Sequence, residues 1–424
     1  MTPPAITGSR LGRYGRLPAL AGSSFLTIGF FARLPLAMLT VGALTLITAA
    51  SGSVATGGFA AGAVGVGSAL GAPILGYLAD RTGQRPVLLI SAVLNTIAIA
   101  LVITASYNVP DFSSSSTTLI LAAAFGMGLT CPQIGPLARV RWIALTRGTQ
   151  PGDLDTALSY ESTADELTFV LGPALVGLLA SLITPWLPLA LAAALTIVMV
   201  SAFAVHSTVQ AVLPLNSQPH PAPRGATPPR QRQPGSRTFW LLVPLPVLGM
   251  VAMGTFFGST QTALIAFAGE FGAATTAGLL YAVMGLSSAA AALSVAYWPA
   301  RFSASWRWII SAGGMTLLGL FLFLPQEVPL MLLVLFVLGI PVGPTMVTIF
   351  SIGSMVAPKE LMGTVMTLLA SGIVAGTAIG ASVAGTLAEA NGFSAAFVVP
   401  VAAAGVLLVL GFVSLAVPRQ ESAG

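Results

Sequence analysis

The sequence predicts an all-α membrane protein in which twelve transmembrane helices form two pseudo-symmetric halves of six. Three observations predict it. Of 424 residues, 55% are hydrophobic and only 7% are charged, and the mean hydropathy is +0.92, far from the balance of a soluble domain. Apolar runs long enough to cross about 30 Å of hydrocarbon fill nearly the whole chain, whereas the alternating segments of roughly ten residues that a barrel requires are absent. One long polar stretch, rich in Pro, Gln and Arg, divides those runs evenly.

The first helix follows Arg10, Arg13 and Arg16 and lies in the apolar run from Leu17 to Thr48. That run is too long for the roughly 7–15-residue core of a secretory signal, so it reads as a retained span. Further apolar runs, separated by polar or Gly/Pro breaks, predict helices centred near Leu36, Gly67, Thr96, Gly128, Val170 and Thr196. A second set is centred near Met250, Gly285, Leu317, Leu335, Gly372 and Val406. The expected organisation is a six-helix half over residues 1–209, a linker over 210–238 and a second six-helix half over 239–424.

The charges agree with that layout. Lys and Arg of short loops stay on the cytoplasmic side. With both termini inside, every basic residue except Arg33 falls in a cytoplasmic segment, while Asp111, Glu270, Glu327 and Glu389 fall in external ones. An internal repeat points the same way: GVGSA (Gly65 to Ala69) aligns with GLSSA (Gly285 to Ala289), Tyr77 and Arg81 with Tyr297 and Arg301, and Gly172 and Gly177 with Gly380 and Gly385. Parallel halves related by an axis along the membrane normal would produce such matches.

Several function classes are disfavoured. The two histidines, His206 and His220, are too few for a metal site, and the single Cys131 can form neither an intrachain disulfide nor a cysteine metal site. No Gly-Lys-Ser/Thr phosphate loop is present, which argues against ATP-driven transport within the chain. The basic residues are scattered between spans rather than gathered on one surface, so the net charge of +5 is explained by topology and not by nucleic acid. A non-enzymatic carrier needing no cofactor is expected, with a small-molecule substrate and the lipid bilayer as its partners. It is read as a monomer of the cell membrane, and a channel is the less favoured alternative.

One short segment concentrates charge: GYLADRTGQRP, Gly76 to Pro86, between the second and third helices. Gly76 permits close helix approach and Gly83 a tight turn. Asp80 can accept hydrogen bonds at a neighbouring helix N-terminus, and Arg81 and Arg85 can pair with carboxylates or carbonyls. The segment closely resembles the loop signature of the major facilitator superfamily, matching at Gly76, Leu78, Ala79, Asp80, Arg81, Gly83, Arg85 and Pro86, with Gln84 replacing a basic residue. The resemblance implies alternating access, with Asp80 and Arg81 in a conformational latch between the halves. In the second half Ala300 stands where Asp80 would be, so an asymmetric latch is expected.

The fifth helix contains Gly172-Pro173-Ala174-Leu175-Val176-Gly177, similar to the Gly-Pro signature of drug:proton antiporters in that superfamily, with Val176 in place of one glycine. The resemblance implies export by proton antiport. A Gly-Pro step also serves packing alone, and proton-coupled import is the runner-up. Upstream lie Glu161, Asp165 and Glu166. Helical spacing puts Glu161 and Asp165 on one face and turns Glu166 about 100° away. Ionisable groups at membrane depth mark ion or substrate paths, and burial favours the neutral acid that a proton carrier needs, so the proton is the expected coupling ion. Asp165 and Glu166 lead as proton-coupling candidates. Glu161 is either a third member, solvated, or paired with a loop Arg. An acid-rich helix start, favoured by the helix dipole, is the bland reading of all three.

Arg33 either snorkels to the interface or pairs with the fifth-helix acids or an anionic substrate group. Gln133 and Gln261 are the other candidate cavity residues, Gln261 serving equally well in an interhelical hydrogen bond. Arg139 and Arg141 come late in the fourth helix and read as interface anchors beside Trp142.

Overall fold

The described residues of the computed structural model are 12–108, 114–217, 242–271, 277–299 and 301–416. Most of the linker lies outside them, as do Arg10, Asp111 and Ala300. Six spans build the first half: α1 (Ser23–Ser51), α2 (Val54–Thr82), α3 (Gln84–Asn108), α4 in two pieces, α4a (Ser114–Leu129) and α4b (Ile134–Leu145), α5 (Asp153–Leu182) and α6 (Leu187–Val205). The second half consists of α7 (Pro244–Glu270), α8 (Ala277–Ser294), α9 (Ala304–Gly319), α10 (Val328–Val356), α11 (Met362–Ala396) and α12 (Val398–Val413). No strand occurs among the described residues.

Eleven of these spans are long and apolar enough to cross a membrane outright, and α12 is shorter but equally apolar. Their outer faces are apolar too. Ile90, Leu94, Ile97 and Leu101 form an exposed stripe down α3, as expected where lipid rather than water is the solvent. Association then depends on close backbone approach instead of apolar burial, and small residues supply it. A side chain at Gly128 of α4a would strike the backbone of α2, within 2.9 Å of the Ser68 nitrogen. In the second half, one at Gly343 of α10 would come within 2.9 Å of the Ala292 backbone on α8. The same helix pairs thus pack through glycine in both halves, consistent with the pseudo-symmetry read from the repeat.

Two departures from the expected helices matter. The fourth span is interrupted at Thr130-Cys131-Pro132-Gln133, where Pro132 lacks an N–H to continue the ladder. Asn95 of α3 compensates by donating to the freed Met127 carbonyl at 2.6 Å. The tenth helix runs on to Val356 through Pro341 and Pro344, well past the stretch around Leu335.

The halves meet at the face of the bundle that carries Arg81, Arg85, Arg301, Arg307 and Lys359, called here the basic face. Every described hydrogen bond or ion pair between them lies toward that face. Thr163 on α5 donates to the Ala289 carbonyl on α8 at 3.0 Å, Arg307 pairs with Asp155 at 3.0 Å, and Tyr14 donates to the Leu293 carbonyl at 2.6 Å. The α4b residues Val140 and Ile143 join the apolar core of the second half, so this half-helix is wedged into the seam.

Candidate functional site

The site grows from two faces of α5. One face, through Glu161, Asp165 and Thr168, looks at α1 and α4b; the other, through Thr163, Glu166 and Val170, looks at α8. The 3.6-residue period separates these sets, which is why adjacent acids have different surroundings.

On the first face Arg33 is 4% exposed and pairs with Glu161 through Nη2, while its Nε lies 3.1 Å from Asp165 Oδ1. Trp142 donates its indole N–H to the other Glu161 oxygen at 2.6 Å. Arg139 is fully buried, lies 2.8 Å from Asp165 Oδ2 through Nη1, donates to Ser162 Oγ at 3.3 Å, and places its guanidinium 3.8 Å above the Phe350 ring of α10. Two guanidinium groups and two carboxylates therefore form one buried network. Leaving any member alone at this depth would be costly, and mutual pairing is what makes their burial tolerable.

Gly135, one turn before Arg139, provides the space. A Cβ there would come within 2.9 Å of Asp165 Oδ1 and 3.3 Å of Arg139 Nη1. Arg33, Arg139, Asp165 and Gln133 line a cavity between the halves, with Leu36, Phe169, Phe350 and Ile373 as apolar wall. Gln133 is buried and donates to the Cys131 carbonyl at 3.0 Å, bracing the break. The space open to water centres is about 50 Å³, enough for a few waters at roughly 10–15 Å³ each. A solute of any size requires the halves to part.

On the second face Glu166 is 6% exposed, and neither carboxylate oxygen has a hydrogen-bond partner. Its neighbours across the seam are Ser288, whose hydroxyl is also unpartnered, and Tyr281, both on α8. Asp165 is the nearest acid on its own helix.

Asp80 lies at the end of α2 and caps a helix of the other half. Oδ1 accepts from the Gly363 N–H at 2.8 Å, and Oδ2 accepts from the Thr364 N–H and hydroxyl at 2.7 Å each. These are N–H groups of the first turn of α11, which has no side-chain cap of its own. Gly76 makes the approach possible, since a Cβ there would fall 2.8 Å from the Gly363 carbonyl. Gly83 takes φ +97°, which suits the turn into α3.

Other expectations are corrected. Arg81 and Arg85 are exposed and join no ion pair among the described residues; Arg81 stacks on Tyr77 at 4.6 Å instead. Glu161 is neither solvated nor paired with a loop Arg. Arg139 and Arg141 are not interface anchors, because the break in α4 redirects α4b into the bundle, where both are fully buried. Arg141 donates to Gln84 Oε1 at 2.8 Å, to the Phe203 carbonyl at 2.8 Å and to Thr208 Oγ1 at 3.0 Å. Gln261 is exposed on α7 and does not line the cavity. Gly172 packs α5 against Ala37 of α1, Pro173 lies within an unbroken α5, and Gly177 meets nothing within 4 Å. Gly135, Gly363, Thr364, Phe350 and the Asp155–Arg307 pair were not singled out by sequence; the glycine four residues before a buried Arg was the one legible hint.

Two six-helix halves close over a charged internal cavity and are joined at one face by a polar cap, the architecture of a membrane carrier. The Major Facilitator Superfamily model matches residues 25–372 and again 247–424, and the chain belongs to that family. It is therefore a secondary transporter rather than an enzyme. The fold is similar to that of a bacterial homologue of the iron transporter ferroportin in the outward-facing state, at 15% identity and TM-score 0.72, covering 93% of this chain and 99% of that one. It is also similar to the human organic anion transporter MFSD10 (20% identity, TM-score 0.62, 96% and 99% covered). A third similar structure is the transporter FucP in the outward conformation (13% identity, TM-score 0.64, 95% and 99% covered). No curated relative matches the chain.

Proposed function

We propose that the protein couples proton movement to export of a small organic compound across the cell membrane, as a monomer with the proton as its coupling ion. The observation that carries this reading is Glu166, a carboxyl buried in the seam between the halves with no cation beside it. Every other acid at that depth is held by a guanidinium. Among the described acids at that depth, Glu166 can take up or release a proton without breaking an ion pair, whereas Glu161 and Asp165 cannot.

In this reading the basic face is cytoplasmic, as the distribution of Lys and Arg supports, and both termini lie inside. The cap of Asp80 on α11, together with Gly76, latches the halves shut there. With the seam closed, an ionised Glu166 would be buried unpaired at high cost, so the closed form carries a proton on it. Parting of the halves exposes Glu166 to the cytoplasm, the proton leaves, and the solute enters the cavity beside Arg33, Gln133, Arg139 and Asp165. Export is supported by the Gly172-Pro173 signature.

A second reading, inward symport, is favoured by one observation. Asp165 is clasped by two guanidinium groups, so a proton on Asp165 would free both for a solute and the two would bind together.

Inverted membrane vesicles with an imposed proton gradient test the proposal. Addition of a transported solute should release protons in the native protein and not in Glu166→Gln. Solute-driven proton movement that survives in the variant refutes the role given to Glu166.

A further inference from the structure

The cavity at the break in α4 has a chemistry that points to one class of solute. The charged groups lining it are Arg33, Arg139 and Asp165, two cations against one anion. Glu161, the second partner of Arg33, does not line it, and its two oxygens are occupied by Arg33 and Trp142. Glu166 faces α8 instead. A cationic solute would have only Asp165 to meet, and Asp165 is already held from two sides.

Donors, by contrast, are in excess. Arg33 Nη1 and Arg139 Nε are buried without any hydrogen-bond partner, although both side chains line the cavity. A buried donor without an acceptor costs free energy that a bound anion would recover. A second, independent feature agrees. The half-helix α4b starts in the cavity wall at Ile134, preceded by Gln133, and no side chain caps it. N-termini of interrupted helices inside a membrane protein carry the positive end of the helix dipole and favour anionic groups. The remaining wall is apolar, from Leu36, Ala37, Phe169, Phe350 and Ile373.

We infer that this cavity is a binding subsite for a small organic monoanion, a carboxylate or sulfonate with an apolar body, whose oxygens engage the spare N–H groups of Arg33 and Arg139 near the start of α4b. The inference rests on the cavity being the solute path, and not on the direction of transport.

The test uses the full-length protein in lipid nanodiscs with three probes of matched shape: benzoate, benzamide and benzyltrimethylammonium. Binding is read by calorimetry and by the shift in unfolding temperature. Benzoate should bind and stabilise, the other two should not, and Arg139→Lys should weaken benzoate roughly tenfold or more by losing the planar fork. Arg139→Gln leaves Asp165 one partner short and can cost folding, so the ranking on the native protein is the decisive reading. A preference for benzamide or the ammonium probe, or no difference among the three, overturns the inference. A pH-sensitive dye trapped in proteoliposomes separates this from the coupling proposal. Benzoate binding without proton movement keeps the subsite and removes proton coupling; proton movement driven by the ammonium probe does the reverse.

Discussion

Replacing Asp80 with Ala removes three hydrogen bonds that join the halves and leaves the first turn of α11 without a cap. The size of the loss follows from the geometry. Deleting an N-cap acceptor costs about 0.5–2 kcal/mol. The interaction of a carboxylate with a helix N-terminus adds about 0.3–1 kcal/mol. Water can replace Asp80 once the halves part, so the loss falls on the closed form alone, and about 2 kcal/mol is expected. At 1.36 kcal/mol per factor of ten, the closed-to-open ratio should drop about 30-fold. Asp80→Asn keeps one carbonyl oxygen and should give a smaller shift. The assay is a spin-label distance measurement between Thr82→Cys and Glu360→Cys, both exposed on the basic face, in a background where the buried Cys131 is replaced by Ser. An unchanged distance distribution in Asp80→Ala would show that the cap does not hold the halves together.

Other substitutions probe the same structure. Gly76→Ala forces a Cβ to 2.8 Å from the Gly363 carbonyl and should open the basic face as strongly as Asp80→Ala in the spin-label assay, without changing any charge. Arg139→Met strands Asp165 with a single partner and should cost about 3–5 kcal/mol in thermal or denaturant unfolding, most of which Arg139→Met combined with Asp165→Asn should restore. Burial and the Arg141 guanidinium hold the His206 imidazole below its usual range. The folded form therefore resists protonation, so stability should be intact at neutral pH and decline slightly as pH falls through about 6.5, a loss that His206→Gln should remove in a pH series of unfolding curves.

Much of this protein is legible from local pattern. Long apolar runs give the spans, and the segment from Gly76 to Pro86, which the structure folds as the end of α2 and the start of α3 around Gly83, stands out because charge is so rare elsewhere. The spacing of Glu161, Asp165 and Glu166 also separates two helix faces correctly. What local pattern does not contain is partnership across distance. Arg139 and Arg141 look like interface residues because they follow an apolar run, yet Pro132 interrupts the helix and turns both inward, Arg139 to Asp165 of α5 and Arg141 to Gln84, the Phe203 carbonyl and Thr208. Gly363 and Thr364 are unremarkable as sequence and become an anion seat only when α2 is placed beside α11. Arg307 finds Asp155 on the other half of the chain in the same way. Gln261 shows the opposite failure: a polar residue in an apolar helix suggests a cavity, but its face of α7 is exposed away from the one that forms.

The central claim is that a proton on Glu166 governs closure of the seam, and it can be tested without knowing the solute. The measurement is the distance between labels at Thr82→Cys and Glu360→Cys as a function of pH, in the native background and in Glu166→Gln. The account predicts that acid populates the closed form of the native protein, and that Glu166→Gln stays closed at every pH. A pH-dependent opening that persists unchanged in Glu166→Gln would contradict it.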